Sequence, residues 1–128
     1  MTDGDALRVL IVDDDPEQLA MVARGLRLES FEVEVASESL GVSNLARRFR
    51  PDVVLLDVNI PALSGDRLLS VLRENMRLHR PRLVLFSACD REELRRLARD
   101  VEADGWIPKG VTGRELADQL RDLCARGT

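Results

Sequence analysis

In Pro51-Asp-Val-Val-Leu-Leu-Asp57-Val-Asn-Ile-Pro61, an apolar run ends abruptly on one carboxylate, that of Asp57. Val53–Leu56 show no alternation of apolar and polar residues, which predicts a strand covered on both faces, as in a parallel sheet. Asp57 then lies at the carboxyl end of that strand. In open α/β sheets this edge faces the ligand crevice. Asp57 is therefore predicted to react with a ligand or to bind one.

Four further strands and five helices are predicted around this central strand. Apolar or alternating runs predict strands at residues 7–12, 31–36, 82–86 and 104–108. Periodicity and capping residues predict helices at 16–28, from Ser37 or Ser39 to 49, and at 66–76, 91–99 and 113–125. The regular alternation predicts an α/β fold, a doubly wound parallel sheet in the order 2-1-3-4-5. Residues 1–128 are expected to form one domain with a core at about 7–126.

Local signals refine this arrangement. The second strand alternates apolar and charged residues, and the fifth contains Pro108, so both are expected at sheet edges. Asp15 precedes Pro16 and is the expected N-cap of the first helix. Asp90 with Glu93, and Thr112 with Glu115, have the spacing of capping boxes at later helices.

Composition limits the class of protein. The 128 residues carry a net charge of −4, and no dense basic run suggests a nucleic-acid surface. No apolar run reaches the ~18 residues that a membrane helix needs, and the first residues do not resemble a signal peptide. The two cysteines lie far apart without metal-ligand spacing, so we expect reduced thiols. These features favour a cytoplasmic protein that binds neither nucleic acid nor membrane.

Charged and hydroxyl side chains follow four of the five predicted strands. They are Asp13 and Asp14 after the first, Asp57 at the third, Ser87 after the fourth and Lys109 after the fifth. The predicted strand order brings them to one edge of the sheet. Close carboxylates repel each other, and hard oxygen ligands favour Mg²⁺. The ammonium of Lys109 can bind an anion, and Asp57 can act as a nucleophile. The set therefore suits phosphoryl transfer through an aspartyl phosphate.

This ordered set resembles the receiver domain of two-component response regulators, from about residue 7 to the end of the chain. That family has an acidic pair, a phosphoacceptor Asp, a Ser or Thr with a small residue, and a Lys after strands one, three, four and five. The corresponding residues here are Asp13-Asp14, Asp57, Ser87-Ala88 and Lys109. The resemblance implies the flavodoxin-like (βα)5 receiver fold.

The resemblance also implies the ligands of the metal and the source of the phosphoryl group. Asp14 and Asp57 would bind Mg²⁺ directly, Asp13 through water, and the backbone carbonyl of Asn59 would complete the protein ligands. Asp57 would accept the phosphoryl group from a histidine kinase or a phosphotransfer protein. Asn59 and Cys89 occupy family positions that border the phosphate, so we expect both to influence its lifetime.

The implied signal is a shift between two conformations. Ser87 and Lys109 would bind the phosphate, and Trp106 stands in the place of the family's switch aromatic. A downstream protein would recognise the shifted conformation. The protein would be a monomer or a phosphorylation-dependent dimer. Two departures bear on switching rather than phosphorylation. Lys109 lies between Pro108 and Gly110, where the family usually has Lys-Pro with a cis bond, and Trp106 replaces Tyr or Phe.

On this resemblance the chain is a single-domain, chemotaxis-regulator-like response regulator, or a receiver excised from a longer protein. It would be no enzyme beyond catalysing its own phosphorylation and dephosphorylation. Two alternatives stay open. Phosphohydrolases of haloacid dehalogenase type also use a strand-end Asp with Mg²⁺, but they carry Asp-x-Asp where this chain has Asp57 and Asn59. A receiver-like adaptor that acts without phosphorylation is favoured by the irregular stretch Ile107-Pro108-Lys109-Gly110.

Two features outside this set have ordinary structural interpretations. Trp106, taken alone, would cover the edge of the core. The fourth predicted helix carries four arginines, Arg91, Arg95, Arg96 and Arg99, which form either a partner-binding face or a solvated face.

Overall fold

The computed structural model describes residues 6–38, 41–58 and 80–126, which form five strands and four helices. The strands are β1 (Arg8–Val12), β2 (Glu32–Ala36), β3 (Val53–Leu56), β4 (Arg82–Ser87) and β5 (Gly105–Pro108). The helices are α1 (Pro16–Leu28), α2 (Val42–Phe49), α3 (Arg91–Asp100) and α4 (Gly113–Arg126). The predicted helix at 66–76 lies outside the described residues.

The five strands form one parallel sheet in the order β2-β1-β3-β4-β5, which confirms the predicted fold class. From β1 the chain passes outward to β2, and it then crosses back to form β3 on the other side of β1. The strand order therefore reverses between β1 and β3. Val12 is in register with Leu56 across these two strands. The residues that follow, Asp13 and Asp57, therefore leave the sheet side by side.

Two apolar layers, one on each face of the sheet, form the core. Val53 and Leu55 of β3 pack on the face covered by α1 and α4, whereas Val54 and Leu56 pack on the face covered by α2 and α3. All four side chains are at most 1% exposed. Burying an aliphatic side chain of this size contributes roughly 1.5–3 kcal/mol. This two-sided burial explains why the β3 sequence shows no polar alternation and why its carboxyl end is fixed in place.

The edge strands are those that the sequence predicted. β2 alternates at its start, with Glu32 and Glu34 exposed and Val33 buried between them. At the opposite edge, β5 ends on Pro108 and pairs with β4 alone among the described strands. The strand begins at Gly105 rather than at Asp104, because the Asp104 carboxylate accepts the Leu83 amide at 2.7 Å at the start of the ladder.

Three predicted caps are confirmed and one is wrong. The carboxylates of Asp15 and Asp90 each accept two backbone amides at the start of α1 and α3. Thr112 and Glu115 bond each other's backbone amides at 3.0 and 2.8 Å, a complete capping box. The predicted serine cap of α2 is wrong: Gly41 is the N-cap with φ 84°, which a residue without a Cβ adopts readily.

The described ranges, residues 6–38, 41–58 and 80–126, contain four helices and both cysteines. None of the helices in those ranges has the length and apolar character needed to cross a bilayer. Cys89 and Cys124 are both free thiols, as their separation in the sequence predicts.

Candidate functional site

Asp13 and Asp57 extend from the carboxyl ends of neighbouring central strands. The Asp57 amide donates to the Val12 carbonyl at 2.9 Å, and the Asp13 amide donates to Ala36 at 3.0 Å. These two bonds extend the hydrogen-bond ladders of the sheet one residue beyond β3 and β1, which fixes the backbone of both residues. Asp13 is only 2% exposed and Asp57 only 4%. Buried carboxylates need a charged or hydrogen-bonded partner, so this edge of the sheet is built around charge.

Asp14 completes a cluster of three carboxylates. One carboxylate oxygen each from Asp13, Asp14 and Asp57 lies within 4.8 Å of the other two. Asp14 is exposed, whereas the other two are buried. Asp15 is nearby but its side chain caps α1, as the sequence indicated. The cluster thus has one open side, toward solvent, and oxygen ligands of the kind that Mg²⁺ prefers.

Lys109, which follows the outer strand β5, contacts both buried carboxylates. Its ammonium lies 2.6 Å from Oδ2 of Asp13 and 3.4 Å from Oδ2 of Asp57. The Lys109 side chain is 13% exposed, so these are largely desolvated interactions. One ammonium balances only one of the three carboxylate charges. The remaining negative charge favours a bound cation.

The pKa of Lys109 reflects opposing influences. Burial alone would lower it, but hydrogen bonds and charges of Asp13 and Asp57 outweigh burial, so that the pKa is raised above its ordinary value. Lys109 is therefore fully charged at neutral pH. The ammonium also lies 5.9 Å from the centre of the Phe86 ring, which supports the side chain along its path to the carboxylates.

Ser87 is completely buried at the end of β4. Its backbone carbonyl accepts the Lys109 amide at 2.8 Å, and its Oγ accepts the Cys89 amide at 3.4 Å. Ser87 is thus tied to the backbone of Lys109 on one side and to the β4–α3 connection on the other. A movement of Ser87 would be transmitted to both segments.

Trp106 lies three residues before Lys109 on β5. It is half-buried and packs against the core layer on the α2 and α3 side of the sheet. The guanidinium of Arg91, the first residue of α3, lies 5.8 Å from the centre of the indole ring. The sequence placed Arg91 only among the arginines of a helix face. Its contact with Trp106 was missed because it joins residues on different elements, which no local pattern encodes.

The structure brings most of the predicted site together. Asp13, Asp14, Asp57 and Lys109 converge at one edge, and Ser87 is bonded to the backbone of Lys109. Asn59 lies outside the described residues, so its predicted role as a ligand stays a prediction. The irregular Pro108-Lys109-Gly110 sequence does not keep the lysine from the carboxylates. Gly110 adopts φ 104° immediately after it, in the left-handed region that glycine favours.

Comparison with known proteins gives a family match over most of the chain. The sequence model of the response regulator receiver domain matches residues 9–121. The probable transcriptional regulatory protein TcrX of Mycobacterium tuberculosis is 37% identical over 125 residues, covering 97% of this chain and 52% of TcrX. The transcriptional regulatory protein PrrA of Mycobacterium leprae is 37% identical over 119 residues, covering 93% of this chain and 50% of PrrA. The chain therefore spans about half the length of these curated relatives.

A solved structure agrees with the fold and with the family. The chemotaxis protein CheY4 of Vibrio cholerae superposes with a TM-score of 0.81 at 25% sequence identity. The superposition covers 92% of this chain and 98% of CheY4. The similarity therefore extends over nearly the whole of both chains.

Proposed function

The chain belongs to the response regulator receiver domain family, and from this we propose that it carries a phosphoryl group on Asp57 in a Mg²⁺-dependent reaction. The observation that carries the proposal is the environment of Asp57. Its carboxylate is 4% exposed at the end of a central strand, clustered with two other carboxylates and 3.4 Å from an ammonium. The family match favours this function over a phosphohydrolase of haloacid dehalogenase type.

In the proposed reaction a carboxylate oxygen of Asp57 attacks the phosphorus of a phosphohistidine. The new O–P bond forms as the P–N bond breaks, and the histidine nitrogen keeps the electron pair of that bond. Hydrolysis later returns inorganic phosphate and the carboxylate. The domain thus turns over only its own phosphoryl group. A histidine kinase or phosphotransfer protein supplies this group in our proposal, and a downstream protein responds to it.

Asp13, Asp14 and Asp57, with the backbone carbonyl of Asn59, would hold the Mg²⁺ ion. The donor set fits, because the three carboxylates offer hard oxygen ligands within 4.8 Å of one another. When bound, Mg²⁺ neutralises charge that develops on the transferring phosphoryl group. Without the ion, the single positive charge of Lys109 would leave the three carboxylates with a net negative charge.

Lys109 and Ser87 would bind the transferred phosphate. The ammonium of Lys109 already contacts Asp57, so a phosphoryl group on that carboxylate would lie within reach of the same charge. The Ser87 hydroxyl can donate a hydrogen bond to a phosphate oxygen.

We further propose that residues 1–128 act as a single cytoplasmic receiver. The transcriptional role in the relatives' names belongs to proteins about twice as long, and the expectation of no nucleic-acid contact stays a prediction.

Intact-protein mass measured after incubation with acetyl phosphate tests the proposal. Wild-type protein should gain one phosphoryl group in the presence of Mg²⁺ and none in the presence of EDTA. Asp57→Asn should gain none. Asp15→Asn is the matched control, because asparagine preserves the cap of α1 and leaves the cluster intact. No gain in folded wild-type protein, with acetyl phosphate or with a phosphorylated kinase, would favour the adaptor alternative instead.

A further inference from the structure

The strand β2 lies at the edge of the sheet and pairs with β1 alone among the described strands. Along such a strand, successive residues turn their backbone groups alternately toward the neighbouring strand and away from it. The Glu32 amide donates to the Leu7 carbonyl at 2.9 Å, so Glu32 faces β1. Val33 and Val35, one and three residues later, therefore turn their amide and carbonyl groups to the open edge.

Arg27 covers part of this open edge. It lies in the last turn of α1, and its Nη2 atom donates to the Val33 carbonyl at 2.9 Å. Only residues 29–31 separate α1 from β2, and Ser30 among them adopts φ 71°, which brings the end of the helix beside the strand. Arg27 is otherwise exposed. Its guanidinium thus occupies a carbonyl that an added strand would need.

A second copy of the chain has the edge that fits this one. Two β2 strands can pair antiparallel about a two-fold axis, so that each copy contributes the same residues. Val33 of each copy would then exchange backbone hydrogen bonds with Val35 of the other. Val35 is 39% exposed, and valine has high β propensity, so the strand itself is suited to such pairing.

Glu34 opposes this pairing from the middle of the strand. It is the third of the five residues of β2 and is exposed. In the antiparallel pair, the two Glu34 side chains would lie directly opposite each other, at a position without backbone hydrogen bonds, where side chains are closest. Like charges placed in this way destabilise a pair of strands.

We propose that the outer edge of β2 is a strand-pairing surface for a second copy of this chain, and that Arg27 and Glu34 keep it closed. Arg27 withholds a backbone acceptor, and Glu34 adds charge repulsion. The closure protects the protein from edge-to-edge association, to which an open strand edge is prone. It involves neither the carboxylate cluster nor a phosphoryl group, so it stands apart from the proposed function.

The double variant Arg27→Met/Glu34→Thr opens the edge and leaves the net charge unchanged. Both replaced side chains are exposed, and methionine and threonine suit a helix and a strand respectively. Arg24→Met/Glu38→Thr is the matched control, because it makes the same two replacements at exposed positions outside β2 and leaves the Val33 carbonyl covered. All proteins are compared in EDTA with a reducing agent and without a phosphoryl donor.

Light scattering after size-exclusion chromatography measures the mass, and NMR hydrogen exchange measures the amides of Val33 and Val35. With rising concentration, the mass of the double variant should move from that of one chain toward that of two. Exchange of the two amides should slow by about tenfold once roughly nine-tenths of the chains are paired, because exchange then proceeds from the unpaired chains. Wild type and the control should show neither change.

Arg27→Met alone should show the same changes at higher concentration, and it provides the test on its own if the double variant does not fold. Concentration-independent exchange of both amides in the folded variants would overturn the proposal. Slowing of the same size in wild type would show that Arg27 and Glu34 do not close the edge. Slowing in the control would assign the effect to composition rather than to the edge, and would also overturn the proposal.

Discussion

The ammonium of Lys109 lies 2.6 Å from a carboxylate oxygen of Asp13, although 96 positions separate the two residues in the chain. In the sheet, β3 and β4 lie between the strands that these residues follow. The lysine side chain therefore extends over the carboxyl ends of the intervening strands, with Phe86 of β4 beside its path. This one interaction ties the edge of the sheet to its centre. It also provides the positive charge that the buried Asp13 and Asp57 need.

Lys109→Met should destabilise the protein in the absence of divalent cations. The substitution leaves two buried carboxylates without their ammonium, and removing one partner of a buried ion pair typically costs about 3–5 kcal/mol. We expect a loss in the free energy of unfolding near the lower end of this range, because Lys109 retains some exposure. Urea denaturation in EDTA measures it. Mg²⁺ should restore part of the loss.

The exposed pair Arg95–Glu92 is the matched control for this measurement. Its side chains are 61% and 70% exposed, so Arg95→Met should change the free energy of unfolding by only about 0.3–0.5 kcal/mol. Equal effects of the two substitutions would show that the Lys109 pair is as weak as a solvated one.

The stabilising effect of Lys109 should disappear only at strongly alkaline pH. Its folded-state pKa is raised, so the contribution is fully present below the unfolded value of about 10.4 and is lost as the pH rises through the higher folded value. The difference in unfolding free energy between wild type and Lys109→Met should stay constant from neutral pH to about 10. A decrease of this difference between neutral pH and 9 would contradict a raised pKa.

Asp14→Asn should weaken Mg²⁺ binding by roughly 10- to 100-fold or more, since altering even an outer partner of a metal site has effects of that size. Asp14 is the exposed member of the carboxylate cluster, so its loss should leave the fold almost unchanged. Isothermal titration with Mg²⁺ measures the affinity, and Asp15→Asn controls for the loss of a neighbouring charge. Similar affinities in the two variants would indicate that the ion binds without Asp14.

Cys89→Ala and Asn59→Ala should each change the lifetime of the phosphoryl group. Cys89 is half-buried, and its amide bonds the Ser87 hydroxyl, so its side chain lies next to the predicted phosphate contact. The half-life is measured as the loss of the added mass after the donor is removed. Cys124→Ala, the same substitution on α4, should leave the half-life as in wild type. Unchanged half-lives in the Cys89 and Asn59 variants would rule out both as determinants.

Much of the fold follows from short stretches of sequence. The apolar run of β3 predicts burial on both faces, and Asp15, Asp90 and Thr112 with Glu115 mark helix starts that the structure confirms. These features depend on neighbouring residues in the chain, so local pattern is sufficient to find them. The N-cap of α2 was predicted wrongly, because a serine signal is common in turns as well as at helix starts, and Gly41 occupies the cap position without a side-chain hydrogen bond.

The strand ends that carry chemical groups were predictable from short runs of residues, and the parallel topology required those ends to meet at one edge. Three features follow only from the packing of the whole fold: Asp13 is buried while Asp14 faces solvent, Lys109 bonds Asp13 more closely than Asp57, and Arg91 lies against Trp106. The two groups of features differ in the range of the interactions that set them. The signals for strands and caps lie in runs of a few residues, whereas exposure and charge pairing depend on side chains that distant elements bring together.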